Sequence, residues 1–297
     1  MSVAAQSLDH WIAAARPKTL PLAVTPVLAG LVLAVAETGG LAALIAVVTL
    51  VAAVAIQIGT NLHNDAADFE RGNDTAQRLG PPRATAQGWF TATEVKTAAH
   101  LAFALALCLG AVLVWRGGWP ILLLGLTALA SGYAYTGGPR PIAYTPFGEL
   151  FVLFFFGVAA VAGTYYLQTL SLSPAAFTVG LAMGLPSAAV LLLNNYRDLE
   201  TDRRAGRLTL CHVLGYAGAR LAYAFMLLAP YPLLIATPLP GQAWALLAAA
   251  PFAGVLIWRL YRGATGREIN TLLGQTARYQ LVLVALLAIA LALPDSR

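Results

Sequence analysis

The fold is decided by an uncharged run from Leu150 to Tyr196, which reads LFVLFFFGVAAVAGTYYLQTLSLSPAAFTVGLAMGLPSAAVLLLNNY. A helix needs about 20 predominantly apolar residues to cross the hydrocarbon core of a bilayer. The run contains 47 residues, enough for two such helices, and the polar turn formers at 168–174 (QTLSLSP) indicate where the first one ends. We therefore predict a membrane-spanning helical hairpin in this stretch.

The rest of the chain has the same apolar character. Its 297 residues are 59% hydrophobic and only 10% charged, whereas soluble domains carry about 25% charged residues. Uncharged runs elsewhere, one of them broken by TPLPG at 237–241, raise the expected number of spans to nine. The predicted fold is an all-α membrane protein, a single polytopic domain over residues 1–297. The expected transmembrane helices are residues 19–36, 40–62, 96–115, 119–136, 148–167, 174–195, 219–237, 242–259 and 274–293.

Basic residues fall almost entirely on one side of this predicted bundle. Of the 18 Lys and Arg residues, all but Arg116 and Arg297 lie at the N-terminus, in loops after even-numbered spans or at the adjoining helix ends. The positive-inside rule places that side in the cytoplasm. We expect a multi-pass plasma (inner) membrane protein with its N-terminus and active-site loops in the cytoplasm. The net charge of +5 is explained by this topology signal, and nothing supports binding to nucleic acid.

Acidic residues cluster at the predicted cytoplasmic ends of spans 2 and 6. One cluster reads NDAADFERGND from Asn64, and the other reads NNYRDLETD from Asn194, 130 positions later. Residues three or four apart share a helix face, so the carboxylates converge and repel one another unless a cation binds. Oxygen ligands suit Mg²⁺, which commonly completes its shell with substrate phosphate. The candidate metal ligands are Asn64, Asp65, Asp68, Asp74, Asn194, Asp198 and Asp202.

An ordinary structural explanation of each cluster remains, in which helix-end carboxylates pair with neighbouring arginines in cytoplasmic loops. The presence of two matching clusters favours a diphosphate held between metal sites over that explanation. Guanidinium forks match phosphate oxygens, although some of the arginines nearby serve only as topology markers. The candidate diphosphate ligands are Arg71, Arg78, Arg83, Arg140, Arg197 and Arg207.

A third marked region, residues 132–149 (GYAYTGGPRPIAYTPFGE), lies between predicted spans 4 and 5. Its glycines and prolines break the helix and leave tyrosines at the cytoplasmic face, where tyrosines commonly anchor a protein in the bilayer interface. Glu149 opens an otherwise uncharged run, and an acid inside a membrane segment is functional by default. His63, next to Asn64, is either a satisfied histidine at a helix end or a ligand for an anionic substrate.

Together these motifs resemble the UbiA superfamily of membrane-embedded prenyltransferases over most of the chain. The two acidic motifs are typical of the superfamily. Gly80-Pro81-Pro82-Arg83 and Tyr135-Thr136-Gly137-Gly138-Pro139 are similar to the branch that prenylates 1,4-dihydroxy-2-naphthoate. The sequence departs from the superfamily pattern at Gly72, where an acid is usual and Asp74 follows instead, and at Arg207, which replaces an expected lysine.

The resemblance implies a nine-helix bundle around a central cavity, in which a polyprenyl diphosphate reacts with 1,4-dihydroxy-2-naphthoate. Mg²⁺ and arginines would stabilise the leaving diphosphate, while a dry cavity and an aromatic face would protect the allylic cation. Loss of CO₂ and diphosphate would give demethylmenaquinone. The implied catalytic residues are Asp68, Asp198, Glu149 and Tyr135, and the implied acceptor-binding residues are His63 and Tyr144.

Two alternative functions remain open from the sequence alone. A UbiA-type enzyme acting on another acceptor, such as 4-hydroxybenzoate, homogentisate, a chlorophyllide or haem, would share the acidic motifs. A transporter built from repeats would also carry acids in its membrane segments. Transporters place those acids near the middle of their helices, whereas both clusters here lie at predicted helix ends. This difference favours the enzyme.

Overall fold

The computed structural model describes residues 3–72, 79–239 and 242–293, and these residues form helices and turns without any strand. A π-helical turn at Phe154–Ala159 interrupts one helix, and Ala243–Ala249 is 3₁₀ helix. The predicted all-α membrane architecture is confirmed. The helices are α1 (Val3–Ala15), α2 (Pro21–Thr38), α3 (Ala43–Glu70), α4 (Ala92–Gly117), α5 (Trp119–Ala134), α6 (Gly148–Thr169), α7 (Pro174–Arg197), α8 (Leu199–Arg204), α9 (Leu210–Ala236), α10 (Ala243–Tyr261) and α11 (Arg267–Ala292).

Within the described residues, eight helices are long and apolar enough to cross a bilayer, namely α2, α3, α4, α6, α7, α9, α10 and α11. The fourth predicted span, residues 119–136, corresponds to α5, which is apolar but only 16 residues long. At 1.5 Å per residue it extends about 24 Å, less than the roughly 30 Å of a hydrocarbon core. Gly118, with φ at 71°, separates α5 from α4. The count of nine full-length spans is therefore not reached in this part of the chain.

Several helices continue beyond the limits predicted from hydropathy. The second span was expected to end at residue 62, but α3 continues to Glu70. The seventh was expected from residue 219, but α9 begins at Leu210. Hydropathy marks the length that lies in hydrocarbon, whereas a helix continues as long as its backbone hydrogen bonds are made. As a result, the acidic motif from Asn64 to Asp68 is helical.

Helix α7, which ends in the second acidic motif, is the most buried of the spanning helices. Buried residues make up 78% of its most apolar 18-residue window. It packs closely on the π-helical part of α6 because glycines face each other there: a Cβ added at Gly157 would lie 2.5 Å from the carbonyl oxygen of Gly180 and 2.5 Å from the Cα of Gly184. Small residues spaced four apart allow membrane helices to approach in this way.

A proline inside α7 is supported by a neighbouring helix. Pro186 has no N–H to donate to the carbonyl oxygen of Ala182, and side chains of other helices commonly form hydrogen bonds close to such a break in a membrane helix. Here Gln280 of α11 donates from Nε2 to the carbonyl oxygen of Met183 at 2.9 Å and to Oγ of Ser187 at 2.9 Å. This contact fixes α7 against α11 below the acidic motif.

Replacing Gly184 with alanine is expected to destabilise the protein, because the new Cβ would collide with the carbonyl oxygen of Leu153 in α6. Overpacking of this kind costs about 1–3 kcal/mol, so the Tm of detergent-solubilised protein should fall by several degrees. The matched control is Gly254→Ala in α10, where no atom lies within 4 Å of the added Cβ. A Gly184→Ala variant as stable as the Gly254→Ala variant would contradict the close α6–α7 packing.

Candidate active site

A cavity of about 1300 Å³ extends between the helices and contains both acidic motifs at one end. Much of its wall is apolar and includes Leu113 of α4, Ile121 of α5 and Phe155 of α6. The other end is polar and charged. Two stretches that are 130 residues apart in the chain therefore meet in one cavity, as the sequence predicted. The polar end is lined by Asn64, Asp68, Arg83, Asn194, Asn195, Arg197, Asp198, Asp202 and Arg207.

Arg207 joins the two acidic motifs. Its Nη2 lies 2.6 Å from Oδ1 of Asp68, and its Nη1 lies 3.5 Å from Oδ1 of Asp202. Burial alone would lower the pKa of Arg207, but the two carboxylates outweigh that effect and raise it. The guanidinium therefore stays protonated and holds the ends of both motifs together.

The second oxygen of Asp68 faces another arginine. Nη2 of Arg83 lies 3.3 Å from Oδ2 of Asp68, and both side chains are buried. Each oxygen of this carboxylate thus has a guanidinium partner. Arg83, Asp68 and Arg207 form a mixed-charge group in which two cations are available to an incoming anion.

Asp198 is held differently, by the arginine that precedes it. Nε of Arg197 lies 2.8 Å from one oxygen of Asp198, and Nη2 lies 2.5 Å from the other. The Arg197 side chain is fully buried. It also donates to Oδ1 of Asn194 and to Oδ1 of Asn270, each at 2.6 Å. Arg197 therefore links the end of α7 to α11 as well as orienting a carboxylate at the cavity.

The first two residues of the NDxxD motif make different contacts. Asn64 lines the cavity and accepts a 2.5 Å hydrogen bond from Oγ1 of Thr136. Asp65 is buried outside the cavity lining. Its carboxylate accepts hydrogen bonds from the backbone N–H of Ala84 at 2.8 Å and from the N–H and hydroxyl of Thr85 at 3.0 and 2.5 Å. The structure thus assigns Asp65 to holding the segment that carries Arg83.

Glu149 and Tyr135 lie next to each other near the polar end. Tyr135 lines the cavity, whereas Glu149 is buried behind it and is not part of the lining. Oε1 of Glu149 accepts a 2.8 Å hydrogen bond from Nδ2 of Asn195, which does line the cavity. The other oxygen, Oε2, is buried without a hydrogen-bond partner in the described part of the chain. Glu149 therefore reaches the cavity through the amide of Asn195.

Three other predicted residues lie in the loop between α5 and α6 or contact it. Arg71 donates to the carbonyl oxygens of Thr136 and, at 2.8 Å, of Gly138. Tyr144 lies under the guanidinium of Arg207, whose Cζ is 4.7 Å from the ring centroid. Arg140 is exposed and outside the cavity lining. Arg71 is thus a loop contact in this structure, and Tyr144 supports Arg207.

His63 points away from the cavity lining. Its ring stacks on Tyr133 with the centroids 4.4 Å apart, and its Nε2 has no hydrogen-bond partner among the described residues. A Cβ added at Gly137 would lie 2.9 Å from that nitrogen. Asp74 and Arg78, predicted as a metal ligand and a diphosphate ligand, lie outside the described residues.

Sequence reasoning missed several residues that shape the site. Asn195 lies in the second acidic motif, and the sequence pattern predicts no role for it, although it connects Glu149 to the cavity. Asn270 of α11 holds Arg197 and also donates from Nδ2 to the carbonyl oxygen of Leu79 at 2.8 Å. An uncharged Asn in a polar helical turn gives no signal in a single sequence. Its role follows only from the packing of α11 against α7.

The donor set at the polar end suits a divalent cation. Its carboxylates and amides offer only oxygen atoms, the ligands that Mg²⁺ prefers. No group of three His, Cys, Asp or Glu side chains close enough to hold a metal ion occurs among residues 3–72, 79–239 and 242–293. Mg²⁺ is commonly held by one or two carboxylates with water and substrate phosphate, so the residues present fit such an ion.

Comparison with known proteins agrees with this geometry. Residues 23–279 match the sequence profile of the UbiA prenyltransferase family. The chain belongs to this family. The 1,4-dihydroxy-2-naphthoate octaprenyltransferase of Mycobacterium tuberculosis is 38% identical to this UbiA-family chain, covering 96% of it and 98% of the relative. The protein of the same name from Haemophilus influenzae is 31% identical, with 96% of each chain covered.

Solved structures of the UbiA family share this fold. A UbiA homolog from Archaeoglobus fulgidus bound to GPP and Mg²⁺ is 16% identical, with a TM-score of 0.66 and coverage of 96% of this chain and 100% of that one. The apo structure of a UbiA homolog from Aeropyrum pernix K1 is 17% identical, with a TM-score of 0.68, covering 93% of this chain and 97% of that one. The described helices of this UbiA-family chain thus follow the family's bundle.

The buried contacts of Asp65 generate a prediction about stability. Asp65→Ala should lower the Tm clearly, because it leaves the buried N–H groups of Ala84 and Thr85 without acceptors, at about 1–3 kcal/mol for each such group. Glu70→Gln changes an exposed acid at the end of the same helix, whose pair with Lys96 is worth less than about 1 kcal/mol, and should change the Tm little. Thermal unfolding of both purified variants in one detergent measures the difference. Equal losses of stability would contradict the role of Asp65 in holding Ala84 and Thr85.

Proposed function

We propose that this protein transfers a polyprenyl group from its diphosphate to 1,4-dihydroxy-2-naphthoate, with loss of CO₂ and diphosphate, in menaquinone biosynthesis. Near full-length relatives that carry the name 1,4-dihydroxy-2-naphthoate octaprenyltransferase support the acceptor. The polar and apolar ends of one cavity support the donor, because a polyprenyl diphosphate has a charged head and a long apolar tail.

The observation that carries this proposal is the meeting of Asp68, Asp202 and Arg207 at the mouth of an apolar cavity. A soluble substrate would not need the apolar length of that cavity. A simple lipid would not need the charges. Each buried CH₂ of a prenyl tail contributes about 0.8 kcal/mol to partition out of water, so the tail is retained in the membrane while the diphosphate lies at the charged end.

Mg²⁺, when bound, neutralises the diphosphate and stabilises the charge that develops on it as the carbon–oxygen bond breaks. Asp68, Asp198 and Asp202, with the amide oxygens of Asn64 and Asn194, are the residues that would hold it. Asp74, from the first motif, is retained as a further candidate. Asp65 is the weakest member of the predicted set, because its carboxylate already accepts three hydrogen bonds from Ala84 and Thr85.

Arg83 and Arg207 are the arginines best placed to bind the diphosphate oxygens, since both line the cavity next to Asp68. Their guanidinium groups offer paired N–H donors that match phosphate geometry. Arg197 supports this group from behind by orienting Asp198 and Asn194. The further candidates Arg71, Arg78 and Arg140 would act from the surrounding loops.

In the reaction, the carbon–oxygen bond of the prenyl diphosphate breaks and its electron pair leaves with the diphosphate. A ring carbon of the acceptor forms the new bond to the allylic carbon. The carboxylate then leaves as CO₂ and returns its bonding pair to the ring, so that no net proton is released. The product is a hydroquinone, the reduced form of demethylmenaquinone, and a separate two-electron oxidation yields the quinone.

The cavity residues protect the allylic cation during this step. The apolar walls exclude water, which would otherwise capture the cation, and the ring face of Tyr135 at the cavity stabilises positive charge. Glu149 is a candidate for handling a proton of the acceptor through Asn195, which connects it to the cavity. Tyr144 of the α5–α6 loop and His63 of α3 are retained as the predicted acceptor contacts.

The polar end of the cavity is proposed to face the cytoplasm in the plasma (inner) membrane. Almost all of the 18 Lys and Arg residues lie at helix ends and loops on the side of Asp68 and Asp198, and the positive-inside rule places such a side in the cytoplasm. A water-soluble naphthoate made in the cytoplasm would reach the site from that side.

The test is an assay of purified protein in detergent with a prenyl diphosphate, Mg²⁺ and carboxyl-labelled 1,4-dihydroxy-2-naphthoate. We expect labelled CO₂ and a lipid-soluble prenylated hydroquinone, both abolished by chelation of the metal. Asp68→Ala and Asp198→Ala should each lower kcat/KM by about 100-fold or more, because they remove charge stabilisation of the leaving group.

The matched control is Glu70→Gln, which removes an acid from the end of the same helix as Asp68. Glu70 is exposed, lies outside the cavity lining and pairs with Lys96, an exposed contact worth less than about 1 kcal/mol. The activity of the Glu70→Gln variant should stay within about twofold of that of the original protein. Prenylation of a different aromatic ring without labelled CO₂ would refute the naphthoate acceptor, and absence of prenyl product from every acceptor would refute the reaction class.

A further inference from the structure

Asn270 lies near the start of α11, outside both acidic motifs, and its side chain lines the cavity. Its backbone is held firmly, because the side chains of Ile269 and Leu272 beside it are fully buried in the core. Arg197 and Asp198 of the second motif line the same cavity. A rigid helix that carries no acidic motif therefore contributes an amide group to the site.

The amide of Asn270 makes two hydrogen bonds of opposite sense. Its Oδ1 accepts from Nη1 of Arg197 at 2.6 Å, and its Nδ2 donates to the carbonyl oxygen of Leu79 at 2.8 Å. A guanidinium can only donate and a carbonyl oxygen can only accept, so the two partners fix the orientation of the amide. An aspartate of the same length would lack the donor, and a leucine would lack both groups.

The contact with Arg197 reaches the second acidic motif. Nε and Nη2 of Arg197 donate to the two oxygens of Asp198, and Nη2 also donates to Oδ1 of Asn194. Nη1 has Asn270 as its partner, and the Arg197 side chain is fully buried. Without Asn270 this buried donor would lose its acceptor, which is costly, and the guanidinium would shift together with the carboxylate that it holds.

The contact with Leu79 reaches the loop that carries Arg83. After Arg83, the loop is held to α3 by the carboxylate of Asp65. Before Arg83, it is held to α11 through the carbonyl oxygen of Leu79. Residues 79–83 all line the cavity. The position of Arg83 at the cavity therefore depends on anchors in two different helices, and Asn270 supplies one of them.

We propose that Asn270 is a positioning residue for the donor diphosphate. It keeps Arg197, and through it Asp198, in place on one side of the polar end, and it keeps the loop of Arg83 in place on the other. This inference rests on the proposed function, because it assumes that a prenyl diphosphate binds there with Mg²⁺. Asn270 acts through its two partners and not through contact with the reacting atoms.

The test is equilibrium binding of a prenyl thiolodiphosphate, whose carbon–sulfur bond resists cleavage, to purified protein in detergent with Mg²⁺. Asn270→Leu removes both hydrogen bonds at nearly constant side-chain size. It should weaken binding about 10- to 100-fold, the usual cost of removing a group that orients metal ligands. The matched control is Thr271→Val at the next position, which is exposed and outside the cavity lining. This control should change the affinity by less than about twofold.

Asn270→Asp separates the two contacts. One carboxylate oxygen still accepts from Arg197, whereas the other faces the carbonyl oxygen of Leu79 and cannot donate to it. We expect Asn270→Asp to weaken thiolodiphosphate binding at saturating Mg²⁺ while needing no more Mg²⁺ for half-maximal binding than the original protein. Asn270→Leu should raise that Mg²⁺ requirement about tenfold or more, because Arg197 and Asp198 are no longer held.

A double-mutant cycle distinguishes action through Arg197 from a general loss of stability. Arg197→Lys keeps the positive charge but replaces the planar fork that reaches several acceptors at once. In the Arg197→Lys background, the loss of thiolodiphosphate affinity caused by Asn270→Leu should be about threefold or more smaller than in the original protein. A general loss of stability would weaken binding equally in both backgrounds.

The proposal is overturned if Asn270→Leu binds the thiolodiphosphate as tightly as Thr271→Val does, or if its effect is the same in both backgrounds. These binding measurements require neither turnover nor an acceptor. A protein whose donor binding depends on Asn270 but which releases no labelled CO₂ would support the positioning role and refute the naphthoate acceptor. Release of labelled CO₂ by the original protein, with undiminished binding in Asn270→Leu, would refute the positioning role alone.

Discussion

The contact on which the site depends is the guanidinium of Arg207 between the carboxylates of Asp68 and Asp202. Two acids that face each other in a partly buried cavity repel strongly unless a cation lies between them. Arg207 supplies that cation before any substrate or metal arrives, and its raised pKa keeps it charged. Asp68 lies in the last turn of α3, and Asp202 lies in α8, directly after α7. Arg207 therefore ties together two parts of the bundle that are distant in sequence.

The bilayer explains why the charges gather at one end of the cavity. Charged side chains are expensive in the hydrocarbon core, so the acids lie at the ends of α3 and α7, and the middle of the cavity wall is apolar. The same division suits a substrate with a charged head and an apolar tail.

Hydropathy and charge in the sequence were enough to predict the helical bundle, the meeting of the two acidic motifs and the involvement of Arg207. They were not enough to predict contacts that depend on helix orientation. The support of Arg197 by Asn270 joins α7 to α11, and a single sequence does not reveal which helices are neighbours. Asp65 and Asp68 look equivalent in the motif, but only Asp68 lines the cavity.

Helical periodicity accounts for that last difference. Four of the cavity-lining positions of α3 and four in and directly after α7 share spacings of four, three and four residues, and the two series are offset by 130 positions. They are Gln57, Asn61, Asn64 and Asp68 in α3, and Ser187, Leu191, Asn194 and Asp198 at the second motif. Asp65 falls outside its series and holds the backbone of Ala84 and Thr85. Its counterpart Asn195 also binds a neighbouring segment, at Glu149. In each half, therefore, the residue beside the motif asparagine binds a neighbouring segment, while the residue four positions after that asparagine presents its carboxylate to the cavity.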